Sequence, residues 1–369
     1  MNPAKQRPIV IPVGGFLGAG KTTLILAAAR ILKAQGQQSA AILNDQGADL
    51  VDTRLARADG IDADEVTGGC FCCRFSDLIG ALDRVRQHNP SVIFAEAVGS
   101  CTDLAATTLR PLLRNYGTAY RVAPLSVLID PLRARELLSP AADPELAFLF
   151  RNQLAEADLV CLAKADIDAD TPELPGVRVR RLSARTGQGI AEWLDEVCSG
   201  ELRVAARHLD IDYARYAEAE ASLAWMNCRA DLTLRRQLSP AMIVGPLLER
   251  LCARLAVASI AIAHLKLLDQ CPTGYIKAAV CSDGEEPQVE GALDASPAKN
   301  HELLINLRAT AAPEHVQEIV ERELQALPGR LNIRLLQCFR PAPPQPQKCS
   351  FGFSETTEWP PSQIPSDAG

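Results

Sequence analysis

Two short stretches of this chain combine residue types that do chemistry. The first is Gly14-Gly15-Phe16-Leu17-Gly18-Ala19-Gly20-Lys21-Thr22-Thr23, in which Gly15 to Thr22 satisfies G-x-x-x-x-G-K-[ST]. Glycines let such a loop curl until successive N–H groups face phosphate oxygens, and a helix starting near Lys21 adds the positive end of its dipole. Gly15, Gly18, Ala19 and Gly20 would then cradle phosphates. Lys21 would reach the β- and γ-phosphates, the Thr22 hydroxyl would bind Mg²⁺, and Thr23 would support the α-phosphate. The second stretch is Gly68-Gly69-Cys70-Phe71-Cys72-Cys73. If the glycines turn the backbone, Cys70, Cys72 and Cys73 converge as thiolates on one soft or borderline ion, Zn²⁺ first, with Co²⁺ or Ni²⁺ as alternatives. The spacing is cramped for structural zinc, and a site short of one ligand suits transfer better than structure. Buried or redox-active thiols are the other reading.

Positioning these groups requires alternating strands and helices. An apolar strand, 7–13, leads into the phosphate loop, and a helix over 22–35 follows and ends at Gly36, a suitable C-cap. A strand over 39–43 runs into 44–52, where Asp45 and Asp49 are the nearest candidates to position an attacking water; a solvated loop is the alternative. A helix over 74–87 and a buried-type strand over 91–96 come next, the strand ending in Glu96. Glu96 is placed to hold the Mg²⁺ water shell, and Gly99 to offer its N–H to a γ-phosphate. Cys101, just beyond, becomes a candidate fourth ligand for the cysteine cluster if the loops after the two strands approach each other. A helix over 103–114, a strand over 123–129 ending in Asp130 and a helix over 145–157 continue the alternation. The next strand, from Asp158, ends in Lys164-Ala165-Asp166. At that place a K-x-D reads guanine: Asp166 accepts the N1 and N2 protons, the Lys164 stem lies over the purine, and adenine is disfavoured. The Ser183-Ala184 backbone would contact the base from the other side, and a helix over 188–198 closes the domain.

Taken in order, Gly14 to Thr23, Cys70-Phe71-Cys72-Cys73, Glu96 to Gly99, Lys164 to Asp166 and Ser183-Ala184 resemble CobW-type GTPases, a group close to UreG and HypB. The resemblance covers residues 8–200. It implies an α/β domain with a mostly parallel nucleotide-binding sheet, Mg²⁺-dependent GTP hydrolysis to GDP, and a metal ion held by the C-x-C-C cysteines. It also implies delivery or checking of a metal, or of a cobalt cofactor, for a client metalloenzyme or cofactor-maturation protein. The chain departs from the family in three places. Ala163 stands where Asn, Ser or Thr is usual. Asn44-Asp45-Gln46-Gly47-Ala48 replaces Asn-Glu-Phe-Gly-Glu, so Asp45 substitutes for the first glutamate while Ala48 cannot substitute for the second. Val98, Ser100 and Cys101 are also atypical. The expected protein is a GTP-hydrolysing metallochaperone or maturation factor. The alternatives are a GTP-gated gatekeeper of a cobalamin-dependent enzyme without metal transfer, or an ATPase or kinase on the same scaffold.

Length and composition agree with two domains: the chain has 369 residues, 47% of them hydrophobic and 22% charged. A P-loop domain over 1–200 is expected to pass through a linker or crossover, 201–229, into a smaller α+β domain of split-βαβ kind, 230–340, and a Pro-rich tail, 341–369. In that tail Cys349, Phe351, Phe353 and Trp359 are the groups able to dock on the body or a partner. His264 and Lys266 alternate onto one face of a strand, with Lys277 opposite; a solvent-facing polar pair is the simple expectation, an anion or client contact the other. Net charge is −7 and no Lys/Arg run suggests a nucleic-acid track. The most apolar stretch, Ala241 to Leu268, carries too many charges to span a membrane. Twelve cysteines without a secretory leader argue for reduced thiols and a cytoplasmic place. A homodimer is compatible with all of this.

Overall fold

In the first half of the chain, apolar runs bounded by Gly and Pro alternate with helical periodicity, a pattern that builds parallel strands joined by crossover helices. The computed structural model describes residues 7–47, 51–167, 174, 178–205, 207, 209–282 and 284–346. The elements run β1 (Ile9–Gly15), α1 (Lys21–Ala34), β2 (Ser39–Asp45), α2 (Val51–Ala58), β3 (Asp62–Thr67), α3 (Phe75–Arg86) and β4 (Val92–Glu96). A π-helical turn, Ala105–Leu109, then opens α4 (Arg110–Tyr116), followed by β5 (Arg121–Val122), β6 (Ser126–Ile129), α5 (Pro131–Leu138), α6 (Pro144–Glu156), β7 (Leu159–Leu162), β8 (Val179–Arg181) and α7 (Ile190–Ser199). The strands pair in parallel in the order β3-β2-β4-β1-β6-β7-β8, with β5 beside the start of β1. β1 is buried from Val10 to Gly15, as a central strand covered on both faces must be.

Asp212 caps α8 (Tyr213–Ala221) by accepting from the N–H groups of Ala214 and Arg215. The second sheet follows: β9 (Ala224–Leu238), α9 (Ala241–Val257), β10 (Ile262–Cys271), β11 (Gly274–Val280), β12 (Gln288–Gly291), β13 (Ala298–Ala309), α10 (Pro313–Gln325) and β14 (Arg330–Phe339). Its antiparallel order is β12-β11-β10-β13-β9-β14, a split βαβ pair of units with the β11–β12 hairpin added at one edge. Helices α9 and α10 bury one face around Leu247, Leu251, Val316 and Val320. The other face is turned toward the first sheet, and Leu268 and Leu304 join the core around α1.

The segment read as a linker or crossover, 201–229, thus holds α8 and the first residues of β9. From Ala224 to Cys228 every residue of β9 is buried, so no polar alternation marks the strand there. No helix among the described residues is long and apolar enough to cross a membrane. Cys349, Phe351, Phe353 and Trp359 lie outside the described residues.

Candidate functional site

β1 ends at Gly15 and α1 begins at Lys21, which puts the phosphate-loop motif at the carboxyl edge of the parallel sheet. β4 runs beside β1 with Glu96 in register with Val13. That register carries the acid to the first turn of α1, where the Thr22 hydroxyl donates to Glu96 Oε2 at 2.9 Å and Oε1 at 3.0 Å. Burial pushes the Glu96 carboxyl up to about 7, with Lys21 pulling against it. A hydroxyl and a carboxylate converging in a buried, polar corner are the hard oxygen donors that suit Mg²⁺. Lys21 Nζ curls over the loop and donates to Gly15 O at 2.8 Å and Phe16 O at 3.3 Å. Burial lowers its pKa, and Glu96 opposes that shift. Gly99 lies against the loop so closely that a Cβ there would sit 2.6 Å from Leu17 Cδ2.

The base-reading residues come together at the ends of β7 and β8. Ser183 Oγ donates to Asp166 Oδ1 at 2.6 Å, and Arg185 pairs with Oδ2 at 2.6 Å. Burial raises the Asp166 pKa, but these partners hold it below the usual carboxylate range. Ala184 lies between the two, half-buried. Lys164, at φ 53°, pairs with Asp130 at 2.5 Å and with Glu285 at 3.2 Å. Glu285 belongs to the β11–β12 loop, which also seats Cys281 on the phosphate loop: Cys281 Sγ donates to Gly18 O at 3.5 Å. Gly18, at φ +77°, has no room for a Cβ against that cysteine.

Asp45 is in the same neighbourhood, but Arg308 of β13 holds its Oδ1 at 2.8 Å. Asp49 lies outside the described residues. A cavity of about 80 Å³ is enclosed by Lys21, Thr22, Glu96 and Asp52 on one side and by His264, Lys266 and Lys277 on the other. His264 and Lys266 therefore do not form a solvent-facing pair. Their face of β10 is covered by α2 and the phosphate loop, so the polar side of the strand is a polar interior.

The cysteine loop follows β3, the polar edge strand. Gly68 and Gly69 take positive φ of 75° and 156°, and Cys70 O accepts from the N–H groups of Cys73 and Arg74 in the turn that results. The sulfurs of Cys70, Cys72 and Cys73 lie within 4.8 Å of one another, and Cys73 Sγ is 3.5 Å from each of the other two. Three soft donors at that spacing suit a thiophilic ion. Cys101 lies nearby with its thiol buried and donating to Thr102 O at 3.7 Å, and the Cys70 and Cys72 thiols bring its pKa down to about 7. The Cys70 hydrogen bond pushes Cys73 up to about 11. Gln153 holds the Cys101 turn in place through Gly99 O at 3.0 Å and Cys101 O at 2.9 Å.

Asn44, the residue before Asp45, ties the two sites together. Its amide donates to Val66 O and Gly69 O at 2.8 Å each, and its carbonyl accepts from Phe71 N at 2.9 Å. One side chain on the cavity wall thereby braces the cysteine loop at three points.

Residues 9–187 match the family model described as "CobW/HypB/UreG, nucleotide-binding domain". This part of the chain belongs to that family. Similar curated proteins include the zinc chaperone YjiA of Escherichia coli (strain K12), 29% identical over 193 residues, which are 49% of this chain and 56% of that one. The hydrogenase maturation factor HypB of Azotobacter chroococcum mcd 1 is 31% identical over 185 residues, 48% of this chain and 55% of that one. The zinc chaperone CobW of a Sinorhizobium species is 30% identical over 201 residues, 48% of this chain and 55% of that one. The chain spans about half the length of the curated relatives it matches.

The structure brings Glu96 to Thr22 of the phosphate loop and the three clustered cysteines to one another, groupings that local spacing in the sequence suggests. Sequence reasoning missed Asn44 as a brace, and it missed Arg308, Lys266 and Cys281 as neighbours of the phosphate loop. Their partners are over two hundred residues away in the chain. One signal was present: Leu268 shares the alternating face of His264 and Lys266, and an apolar residue there argues for a covered surface.

Proposed function

We propose that the protein is a GTP-hydrolysing metallochaperone or metalloenzyme maturation factor, in which the state of the nucleotide controls a thiolate-bound metal. The observation that carries the reading is the Asn44 brace, since it gives the phosphate site a mechanical hold on the Cys70–Cys73 loop. In this reading Gly15, Gly18, Ala19, Gly20, Thr22 and Thr23 cradle the phosphates, and Lys21 leaves its loop carbonyls to meet the β- and γ-oxygens. Asp166, Lys164, Ser183 and Ala184 read guanine, which requires Glu285 to release Lys164. Thr22 and Glu96 hold Mg²⁺, which supplies charge neutralisation on the transferred phosphoryl group. Gly99 senses the γ-phosphate, and Asp45 with Asp49 positions water once Arg308 gives way. The cargo is Zn²⁺, or Co²⁺ or Ni²⁺, on Cys70, Cys72 and Cys73. The client is a metalloenzyme or a cofactor-maturation protein, and the second sheet is its docking unit. Names of relatives such as zinc chaperone and hydrogenase maturation factor agree with this class.

The test is anaerobic calorimetric titration of Zn²⁺ and Co²⁺ into wild type and Cys72→Ser, with and without a non-hydrolysable GTP analogue. The expected result is metal binding that depends on Cys72 and changes affinity about tenfold with nucleotide, in line with coupling of about 1–3 kcal/mol. Metal binding indifferent to nucleotide, or no binding, would overturn the chaperone reading.

A further inference from the structure

The phosphate-loop cavity has two walls, and the second sheet builds one of them. From that side β10 and β11 present His264, Lys266 and Lys277. Lys277 is engaged by Glu290 at 3.2 Å. Lys266 Nζ reaches across the junction to Asp52 Oδ2 at 2.5 Å. The other oxygen of that carboxylate, Asp52 Oδ1, is buried with no hydrogen-bond partner among the described residues. A buried carboxylate oxygen left unpaired is costly, so it marks a place where the present pairing is incomplete. The ammonium of Lys266 is close enough for its charge to act on both Lys21 and Glu96.

Three features set Lys266 apart from an ordinary tether. First, α2 is already fastened to the second sheet without it, by Arg54–Glu302 at 2.5 Å and by Val51 N donating to Asn306 Oδ1 at 3.2 Å. Second, the wall is strongly cationic. Lys266, Arg308, Lys21 and Lys277 all face His264, and burial together with these cations holds its imidazole neutral. Asp52, Asp45 and Glu290 pair with Lys266, Arg308 and Lys277, and Glu96 takes the Thr22 hydroxyl. Third, the cavity measures about 80 Å³, against roughly 300–1,000 Å³ for sites that enclose a whole small molecule. Its lining is gathered around Lys21, Thr22 and Glu96, away from the Asp166 and Ser183 pair at the ends of β7 and β8.

We propose that Lys266 is a phosphate-contacting cation supplied to the nucleotide site by the second sheet, parked on Asp52 until a terminal phosphate takes its ammonium. This rests on the GTP-binding reading above and names a residue for it outside the family's nucleotide-binding domain. Lys21 then approaches the β- and γ-oxygens from the loop side and Lys266 from the opposite side. Terminal-phosphate occupancy would also free Asp52 from Lys266, while Val51 and Arg54 keep α2 on the second sheet.

The experiment uses the full chain and fluorescent GDP and non-hydrolysable GTP analogues, titrated with Mg²⁺ into wild type, Lys266→Met, Lys266→Arg and Asp52→Asn. Thermal melts serve as the folding control. Loss of a charge-assisted bond predicts that Lys266→Met weakens the GTP analogue about 10- to 100-fold and the GDP analogue far less. Lys266→Arg should restore most of the difference, and Asp52→Asn should strengthen the GTP analogue. A structural tether would behave otherwise: Lys266→Met and Asp52→Asn would shift both nucleotides together and in the same direction, which would overturn the proposal. Wild type that binds neither analogue would instead overturn the GTP-binding reading itself.

Discussion

Cys101 decides how many thiols the proposed metal site can offer. Three thiolates leave a tetrahedral ion one open position; four close it. Cys101 lies two residues past Gly99, and the Cys70 and Cys72 thiols lower its pKa, so this sulfur rides on the segment that packs against the phosphate loop. If Cys101 ligates the ion, the site would be closed when that segment is seated and open if it withdrew. The consequence is visible in Co²⁺-loaded protein. Wild type should show sulfur-to-cobalt charge-transfer intensity for four thiolates, and Cys101→Ser should lose about a quarter of it with weaker binding. Unchanged bands in Cys101→Ser would mean that its thiol is only a neighbour. The same residue shows what spacing can and cannot reveal. Cys70, Cys72 and Cys73 declare themselves as a set, whereas Cys101 becomes a member only when two loops of one sheet edge meet.

Among elements, β2 and its exit join the phosphate site to the cysteine loop, and they show why part of the site escaped the sequence. β1, α1 and β4 were legible because their apolar runs and the glycine pattern are local, and the fold follows from their alternation. β3 was not legible: Asp62-Ala63-Asp64-Glu65-Val66-Thr67 is an edge strand with one polar face, and its composition reads as loop. β10 misled in the opposite way, since alternation reports two faces but cannot distinguish water from a polar interior. Asn44 sits near the end of β2 and fastens the loop that follows the edge strand β3, so the exit of β2 and the cysteine loop are tied to each other. Asn44→Ala strips three backbone groups, Val66 O, Gly69 O and Phe71 N, of their partner. The expected cost is about 1–3 kcal/mol of stability. Metal affinity should survive in part, while its dependence on nucleotide disappears in the calorimetric titration described above. A variant whose affinity still follows nucleotide would place the coupling in the Gly99–Cys101 segment instead.

On the scale of the molecule, the segment after Gly99 is gripped by α6 and by α8, the helix within the 201–229 crossover, and the grip uses buried carboxyls. Glu156 of α6 accepts from Ala105 N at 3.1 Å and Thr102 Oγ1 at 3.5 Å. Glu220 of α8 accepts from Ser100 Oγ at 2.6 Å. Burial pushes Glu156 up to about 8 and Glu220 up to about 7, above the ordinary 4.5. A raised carboxyl pKa means that the folded chain keeps a proton the unfolded chain has lost. Below pH 4.5 both states are protonated and the contribution is fully present. It declines as pH rises and is gone once the folded groups ionise at about 7 and about 8. Each group adds a slope of about 1.4 kcal/mol per pH unit inside its window. Denaturant unfolding of the nucleotide-free and metal-free protein between pH 5 and about pH 8 should therefore show stability falling with pH. Glu156→Gln keeps the shape and removes the titration, so its stability should fall less steeply by about one proton over the same range. Equal slopes in wild type and Glu156→Gln would show that Glu156 is already ionised in the folded protein. The charge would then have to be carried by the Ala105 N–H and Thr102 hydroxyl alone, and the 100–105 segment would be held by an ionic grip and not a neutral one.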